Sequence, residues 1–104
     1  MLFLLDFQVE YPTSMGQKDL FEIWMKEADA ALEAKKAGMV VDLWKCAGTR
    51  RIIAGVDVKS HDDLDRILLD LPIMVEHGQH VEVQISPLRR YEDFAADVRQ
   101  RIKK

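Results

Sequence analysis

Residues 43–51 read LWKCAGTRR and lead directly into the run IIAGVDV at residues 52–58. Two segments rich in strand-forming side chains therefore flank the pair Ala47-Gly48. Glycine can adopt the positive φ that a tight connection between two strands requires. The pattern predicts a central β-hairpin that the other segments cover or border.

On the N-terminal side of this hairpin, the sequence predicts one strand and one long helix. Residues 2–9 alternate between an apolar side and a mixed side, as a strand with one buried face does. Ser14 and Gln17 have the spacing of a capping box, and Gly38 is typical of the position just beyond a helix end. The helix is therefore predicted to run from about Gly16 to Ala37.

On the C-terminal side, Ser60 is predicted to cap a second helix that Pro72 ends. The helix has an apolar stripe formed by Leu64, Ile67, Leu68 and Leu71. Alternation from about His80 to Ile85 predicts a fourth strand. The order βαββαβ with right-handed crossovers gives a four-stranded antiparallel sheet with both helices on one face, the ferredoxin-like arrangement of an α+β protein.

Residues 88–104 are predicted to form an amphipathic helical tail after an α+β domain of residues 1–87. One helical face of this tail is apolar and consists of Tyr91, Phe94, Val98 and Ile102. The surface that it covers is either a neighbouring subunit or the open face of the sheet. A membrane is disfavoured because acidic side chains share the polar face with arginine and lysine.

Composition narrows the function classes. The 104 residues, of which 48% are hydrophobic, suit one domain with a modest core. The net charge is −3 and the cations are scattered, so the sequence indicates no basic surface that would bind nucleic acid. Cys46 is the only cysteine, and no apolar run approaches the roughly 18 residues that span a bilayer. We expect a cytoplasmic protein without a nucleic-acid or membrane partner.

Strand alternation predicts that one sheet face meets the helices while the other stays open. The open face mixes apolar and ionisable side chains and consists of Leu4, Asp6, Gln8, Arg51, Ile53, Asp57, His80 and Glu82. Such a face is either a pocket for a small molecule or a dimer interface with satisfied ion pairs. The open face and the striped tail together predict a homo-oligomer of at least two subunits.

Glu27 is the first candidate for a general base. The first helix has an apolar stripe formed by Leu20, Trp24, Ala28 and Ala31. On a helical wheel Glu27 falls beside this stripe, so partial burial would raise its pKa toward the working range of a base. Asp6 and His80 on the open face are rival candidates, and the ordinary pKa of a histidine lies nearer neutrality. Alternatively, Glu27 is a structural carboxylate that pairs with a lysine or caps a backbone group.

A close group of cations at the hairpin is predicted to bind the carboxylate of a substrate. It consists of Lys45, Arg50 and Arg51, and a bidentate arginine suits a carboxylate. Strand alternation favours Arg51 of the two arginines. The competing interpretation is a structural ion pair between an arginine and Asp57 or Glu82.

No metal and no cofactor are predicted. His61, His77 and His80 share no metal-ligand spacing on one helix. The sequence also contains neither a glycine-rich phosphate loop nor a dinucleotide fingerprint. Cys46 lies in an apolar strand and is interpreted as packing, not as a nucleophile.

Over roughly its first 85 residues the chain resembles the muconolactone Δ-isomerase family. The matching features stand in one register and are Met1-Leu2-Phe3, Pro12, Glu27, Gly38, Leu43-Trp44, Ala47-Gly48, Asp57-Val58 and Leu71-Pro72. The resemblance implies a ferredoxin-like subunit that dimerises through its sheets, often within a decamer. It also implies cofactor-free proton transfer on an unsaturated lactone acid in aromatic-compound catabolism.

The chain departs from the family pattern at polar positions. Leu4 replaces a histidine, Asp6 replaces a lysine, and Thr49-Arg50 replaces a histidine and a tyrosine. The change at Asp6 reverses a charge, so a carboxylated substrate would depend on the cations of the hairpin.

Three functions remain open at this point. The first is an isomerase that moves a proton on a small carboxylated lactone or enol. The second is a related lyase or dehalogenase, in which proton abstraction expels a group. The third is a binding protein that keeps the fold and the oligomer without the chemistry.

Overall fold

The computed structural model describes residues 1–103 of the chain. Its elements are β1 (Leu2–Val9), α1 (Gln17–Lys36), β2 (Val40–Lys45), β3 (Arg51–Asp57), α2 (His61–Asp70), α3 (Pro72–His77), a 3-10 turn (Gly78–His80), β4 (Val81–Leu88) and α4 (Tyr91–Ile102). The strands form one sheet in the order β2-β3-β1-β4, and all neighbouring strands are antiparallel. The predicted ferredoxin-like fold is confirmed.

The central hairpin joins β2 and β3 as the sequence predicts. Trp44 pairs with Ile53, and Gly48 has a φ of +77° in the connection. The Thr49 hydroxyl donates to the Cys46 carbonyl at 2.8 Å and accepts from the Arg51 N–H at 3.1 Å. These two hydrogen bonds hold the turn between β2 and β3 in one conformation.

The core lies between the sheet and the helices. Strand β1 buries alternate side chains, namely Phe3, Leu5, Phe7 and Val9. They pack with Ala54 and Val56 of β3, with Leu20 of α1 and with Leu64 and Leu68 of α2. The predicted division into a helix face and an open face therefore holds for β1 and β3.

Of the two predicted helix N-caps, the one at Ser60 is confirmed and the one at Ser14 is wrong. Ser60 caps α2, since its hydroxyl accepts from the Asp63 N–H at 3.1 Å. The predicted capping box at Ser14 is wrong, because α1 begins at Gln17 with Gly16 as its N-cap and without a side-chain cap. The Met15 N–H donates to the Pro12 carbonyl at 3.0 Å, which holds Ser14 within a turn before the helix.

The segment before β4 differs from the prediction. Pro72 follows α2 but also occupies the first turn of the short helix α3, where a missing N–H costs nothing. His80 is the last residue of the 3-10 turn, and β4 begins at Val81, one residue after the predicted start at about His80. Strand β4 runs to Leu88, beyond the predicted Ile85, because its pairing with β1 continues to Leu2.

The C-terminal helix α4 projects from the body of the molecule. The overall dimensions are 62 × 26 × 22 Å, and α4 contributes no residue to either core cluster. No helix within residues 1–103 is long and apolar enough to cross a membrane. The division into a domain of residues 1–87 and a tail of residues 88–104 stays a prediction.

Candidate active site

A cavity of about 700 Å³ lies between α1 and the helix-facing side of the sheet. Its wall is largely apolar and includes Leu5, Phe7, Leu20, Phe21, Trp24, Leu43, Trp44, Ile52 and Leu71. Helix α1 contributes alanines at positions 28, 31 and 34, which repeat every three residues along one side of the helix. Because these side chains are short, they leave space that larger residues would fill.

Three charged side chains line this cavity among the residues that the structure describes. Glu27 comes from the middle of α1, Lys45 from the end of β2, and Arg50 from the connection just before β3. Tyr11 and Thr49 add hydroxyl groups to the wall. The arrangement is an apolar chamber with one carboxylate and two cations, a composition that suits a small anionic organic molecule.

Glu27 is half-buried, and its Oε1 accepts a hydrogen bond of 3.2 Å from the Ile73 N–H. That N–H lies in the first turn of α3 and lacks an acceptor within its own helix. Desolvation raises the pKa of Glu27, and the bond from Ile73 lowers it by a smaller amount. A carboxylate with a raised pKa is a stronger base than an exposed one, and it lies beside an apolar cavity.

Arg50 is held at the edge of the cavity by three contacts. Its Nε donates to the Val9 carbonyl at 2.9 Å, and its Nη2 donates to the Glu10 carboxylate at 3.3 Å. The guanidinium carbon lies 5.2 Å from the centre of the Tyr11 ring. Lys45 is freer, since its Nζ contacts only the Cys46 carbonyl at 3.3 Å among the described residues.

Asp6 and Arg51 lie on the opposite, open face of the sheet. The guanidinium of Arg51 binds the Asp6 carboxylate in a bidentate manner, with Nε to Oδ1 at 2.9 Å and Nη2 to Oδ2 at 2.6 Å. This pair holds the pKa of Asp6 below its usual range and raises the pKa of Arg51. Neither residue lines the cavity that Glu27 borders.

His80 also lies outside the cavity wall. Its ring centre is 4.9 Å from that of His77, and its backbone carbonyl accepts from the Glu10 N–H at 2.7 Å. His77 is buried, and its Nε2 donates to the Glu10 carbonyl. The two histidines thus join the 3-10 turn to the end of β1.

Of the six predicted site residues, the structure brings Glu27, Lys45 and Arg50 to one cavity and leaves Asp6, Arg51 and His80 outside it. Strand alternation places the candidate pocket on the open face, whereas the cavity lies on the helix side of the sheet. Wall residues such as Tyr11, Trp24 and Thr49 were therefore missed as well. The three alanines facing the sheet were the available signal, because they repeat on the buried side of α1.

A four-stranded antiparallel sheet with helices over one face and an apolar cavity between the layers defines a ferredoxin-like α+β protein. Comparison with known proteins narrows this class. A profile of the muconolactone delta-isomerase family matches residues 1–93. The chain therefore belongs to the muconolactone delta-isomerase family.

The chain is similar to the muconolactone Delta-isomerase of Rhodococcus opacus, with 28% identity over 90 residues. This alignment covers 86% of the chain and 92% of that relative. A crystal structure of muconolactone isomerase has the same fold, with a TM-score of 0.73 at 24% identity. The match covers 86% of this chain and 90% of that one. These relatives are isomerases by name.

Proposed function

We propose that this chain is an isomerase that transfers a proton on a small unsaturated lactone or a related carboxylated molecule, without a cofactor. Family membership supports the reaction class. The observation that carries the proposal within the structure is Glu27, a half-buried carboxylate with a raised pKa at the wall of an apolar cavity. The family also supports a role in aromatic-compound catabolism.

The proposed reaction begins with Glu27 in its ionised form. The carboxylate removes a proton from a carbon next to the substrate carbonyl, and the electron pair of the broken C–H bond delocalises into the carbonyl system. The protonated Glu27 then returns the proton to another carbon of the conjugated system. Nothing is consumed, so the product is an isomer and the carboxylate is regenerated.

The cations of the hairpin serve to hold the substrate in this proposal. Arg50 and Lys45 line the same cavity as Glu27, and either can pair with a substrate carboxylate. Arg50 is already oriented by Val9 and Glu10, which reduces the side-chain entropy lost when it binds an anion.

Asp6 is less suitable as the base. Its carboxylate is neutralised by Arg51 on the other face of the sheet, and a lowered pKa makes it a weaker proton acceptor. His80 remains a rival because an imidazole often acts as a general base, although it stands outside the cavity wall.

The test of this proposal is Glu27→Gln, which keeps the shape and removes the base. Turnover on unsaturated lactone acids should fall by roughly 100-fold or more, while the fold persists. Glu22→Gln is the matched control, because Glu22 is an exposed carboxylate on the same helix. Full activity of Glu27→Gln would refute Glu27 as the base.

Product analysis with chlorinated lactones separates the isomerase from the alternative functions. An isomer without released halide supports the proposal, whereas stoichiometric halide release indicates a dehalogenase. Binding without any turnover on the lactone panel indicates a binding protein. Circular dichroism on the same samples shows whether the protein is folded, so that unfolding is not mistaken for a lack of activity.

A further inference from the structure

Helix α4 carries an apolar stripe that covers nothing in its own chain. The stripe consists of Tyr91, Phe94, Val98 and Ile102, which are 74%, 45%, 39% and 78% exposed. The rings of Tyr91 and Phe94 pack edge to face with their centres 5.7 Å apart, and α4 has no buried residue. A short helix of this kind gains most of its stability from packing, so the stripe requires a partner surface.

The partner surface cannot be the chain's own body in this conformation. Only Arg89 and Arg90 connect β4 to α4, and Arg90 is extended with φ −69° and ψ 134°. Arg89, in this connection, donates from Nη2 to Asp97 Oδ2 at 2.6 Å, which ties the connection to the helix. Because α4 contributes no residue to either core cluster and the molecule is 62 Å long, the helix points away from the body and its stripe is left available to another molecule.

The charges of α4 are arranged to match a second copy of the same helix. Glu92 and Asp93 are in the first turn, and Arg99 and Arg101 are in the last turn. An antiparallel copy brings the acidic turn of each helix beside the basic turn of the other. At 100° per residue, Glu92 and Arg99 flank the apolar stripe on the same side, as a two-fold pairing requires.

We propose that α4 pairs in antiparallel orientation with α4 of a second copy of this chain. In this register Tyr91 lies opposite Ile102 of the second copy, and Phe94 lies opposite its Val98. Glu92 then lies beside Arg99 of the second copy, and the symmetry produces this pair twice. The inference does not depend on the proposed activity.

The size of the contact determines how it should be measured. A fully buried aromatic side chain covers about 150–250 Å², so two aromatics and two aliphatics per helix make a small interface. Small interfaces of this type are weak, and the association should vary with concentration in the micromolar range. Sedimentation over a concentration series therefore reports it directly.

Charge reversal tests the pairing. Glu92→Arg and Arg99→Glu should each weaken self-association by roughly tenfold, because each places like charges together at two symmetric positions. The double variant Glu92→Arg with Arg99→Glu should restore it. Asp65→Arg is the control for Glu92→Arg, because it makes the same change in net charge at an exposed position of α2. Failure of the double variant to restore association would overturn the proposal.

Cysteine crosslinking tests the orientation. In a Cys46→Ser background, a mixture of the Tyr91→Cys chain and the Ile102→Cys chain should form a heterodimeric disulfide. Either chain alone should not, because equivalent positions stand about 16 Å apart in an antiparallel pair. A disulfide within the Tyr91→Cys chain alone would indicate parallel helices. No crosslink in the mixture would place α4 on another surface, and both results contradict the proposal.

Discussion

Two effects act on the pKa of Glu27 in opposite directions. Desolvation raises it, and the smaller effect, the hydrogen bond from the Ile73 N–H, lowers it. Its pKa lies above the ordinary value of 4.5. If Glu27 is the base, kcat/KM must fall as the pH drops through this raised pKa, because protonation removes the base. The predicted pH profile therefore has an acidic limb with a midpoint above 4.5. A profile that stays flat down to pH 4.5 would contradict this assignment.

The same raised pKa also predicts a pH-dependent stability. The folded state binds the Glu27 proton more tightly than the unfolded state, so this contribution is present below pH 4.5 and is lost as the pH rises through the folded-state pKa. Glu27→Gln should therefore become more stable relative to the wild type as the pH increases across that window. Urea unfolding at several pH values measures the difference, and Glu22→Gln should show no such trend.

Substitution of the two neighbouring arginines is predicted to affect KM to different extents. Arg50 lines the cavity, whereas Arg51 is paired with Asp6 on the other face. Arg50→Met should raise KM by roughly 10-fold or more, since a charge-assisted hydrogen bond contributes about 1.5–3 kcal/mol. Arg51→Met should change KM far less. The reverse result would support the preference for Arg51 that strand alternation alone gives.

At the level of the elements, the cavity depends on the small side chains that α1 presents to the sheet. Ala31 lines it from the helix, and a leucine at this position would occupy part of the empty volume. Ala31→Leu should raise the free energy of unfolding by about 1–2 kcal/mol through added apolar burial, yet lower kcat/KM by excluding substrate. Denaturant unfolding and kinetics on the same sample check both effects.

The matched control for Ala31→Leu is Ala96→Leu, which makes the same change on the exposed α4 helix. It should alter neither property by much, because no cavity is filled there. If Ala31→Leu is instead destabilising by more than about 1 kcal/mol, the space beside α1 is too narrow for the added side chain.

The strands and the hairpin could be predicted because their signals are local. Alternation in residues 2–9 identifies the buried face of β1, and the position of Gly48 specifies the turn. Helix α3 was missed because Pro72 ends one helix and begins another, and the sequence signal for a stop is the same as that for a start.

The candidate site was only partly predictable for a different reason. Glu27 could be found because a helical wheel places it at the edge of a stripe. The cavity is a product of packing between α1 and the sheet, and no local pattern reports how far apart two layers stand. Alternation correctly placed Arg51 on the open face, but it did not show that the pocket is on the other side.

At the scale of the whole molecule, two surfaces lack cover within the described chain. The radius of gyration is 16.7 Å, whereas a compact chain of this length has one of about 13 Å. The excess reflects the projecting helix α4. The other surface is the open sheet face, where the apolar Leu4 and Ile53 lie around the Asp6–Arg51 pair.

We therefore predict that the protein is a homo-oligomer of at least two subunits at micromolar concentration. Leu4→Arg places a charge in the centre of the open face, and Glu92→Arg disturbs the face of α4. A chain with both changes should sediment as a monomer of 12.0 kDa with an unchanged circular dichroism spectrum, because neither residue belongs to the buried core. A wild-type protein that sediments only as the 12.0 kDa species would show that both surfaces remain bare in solution.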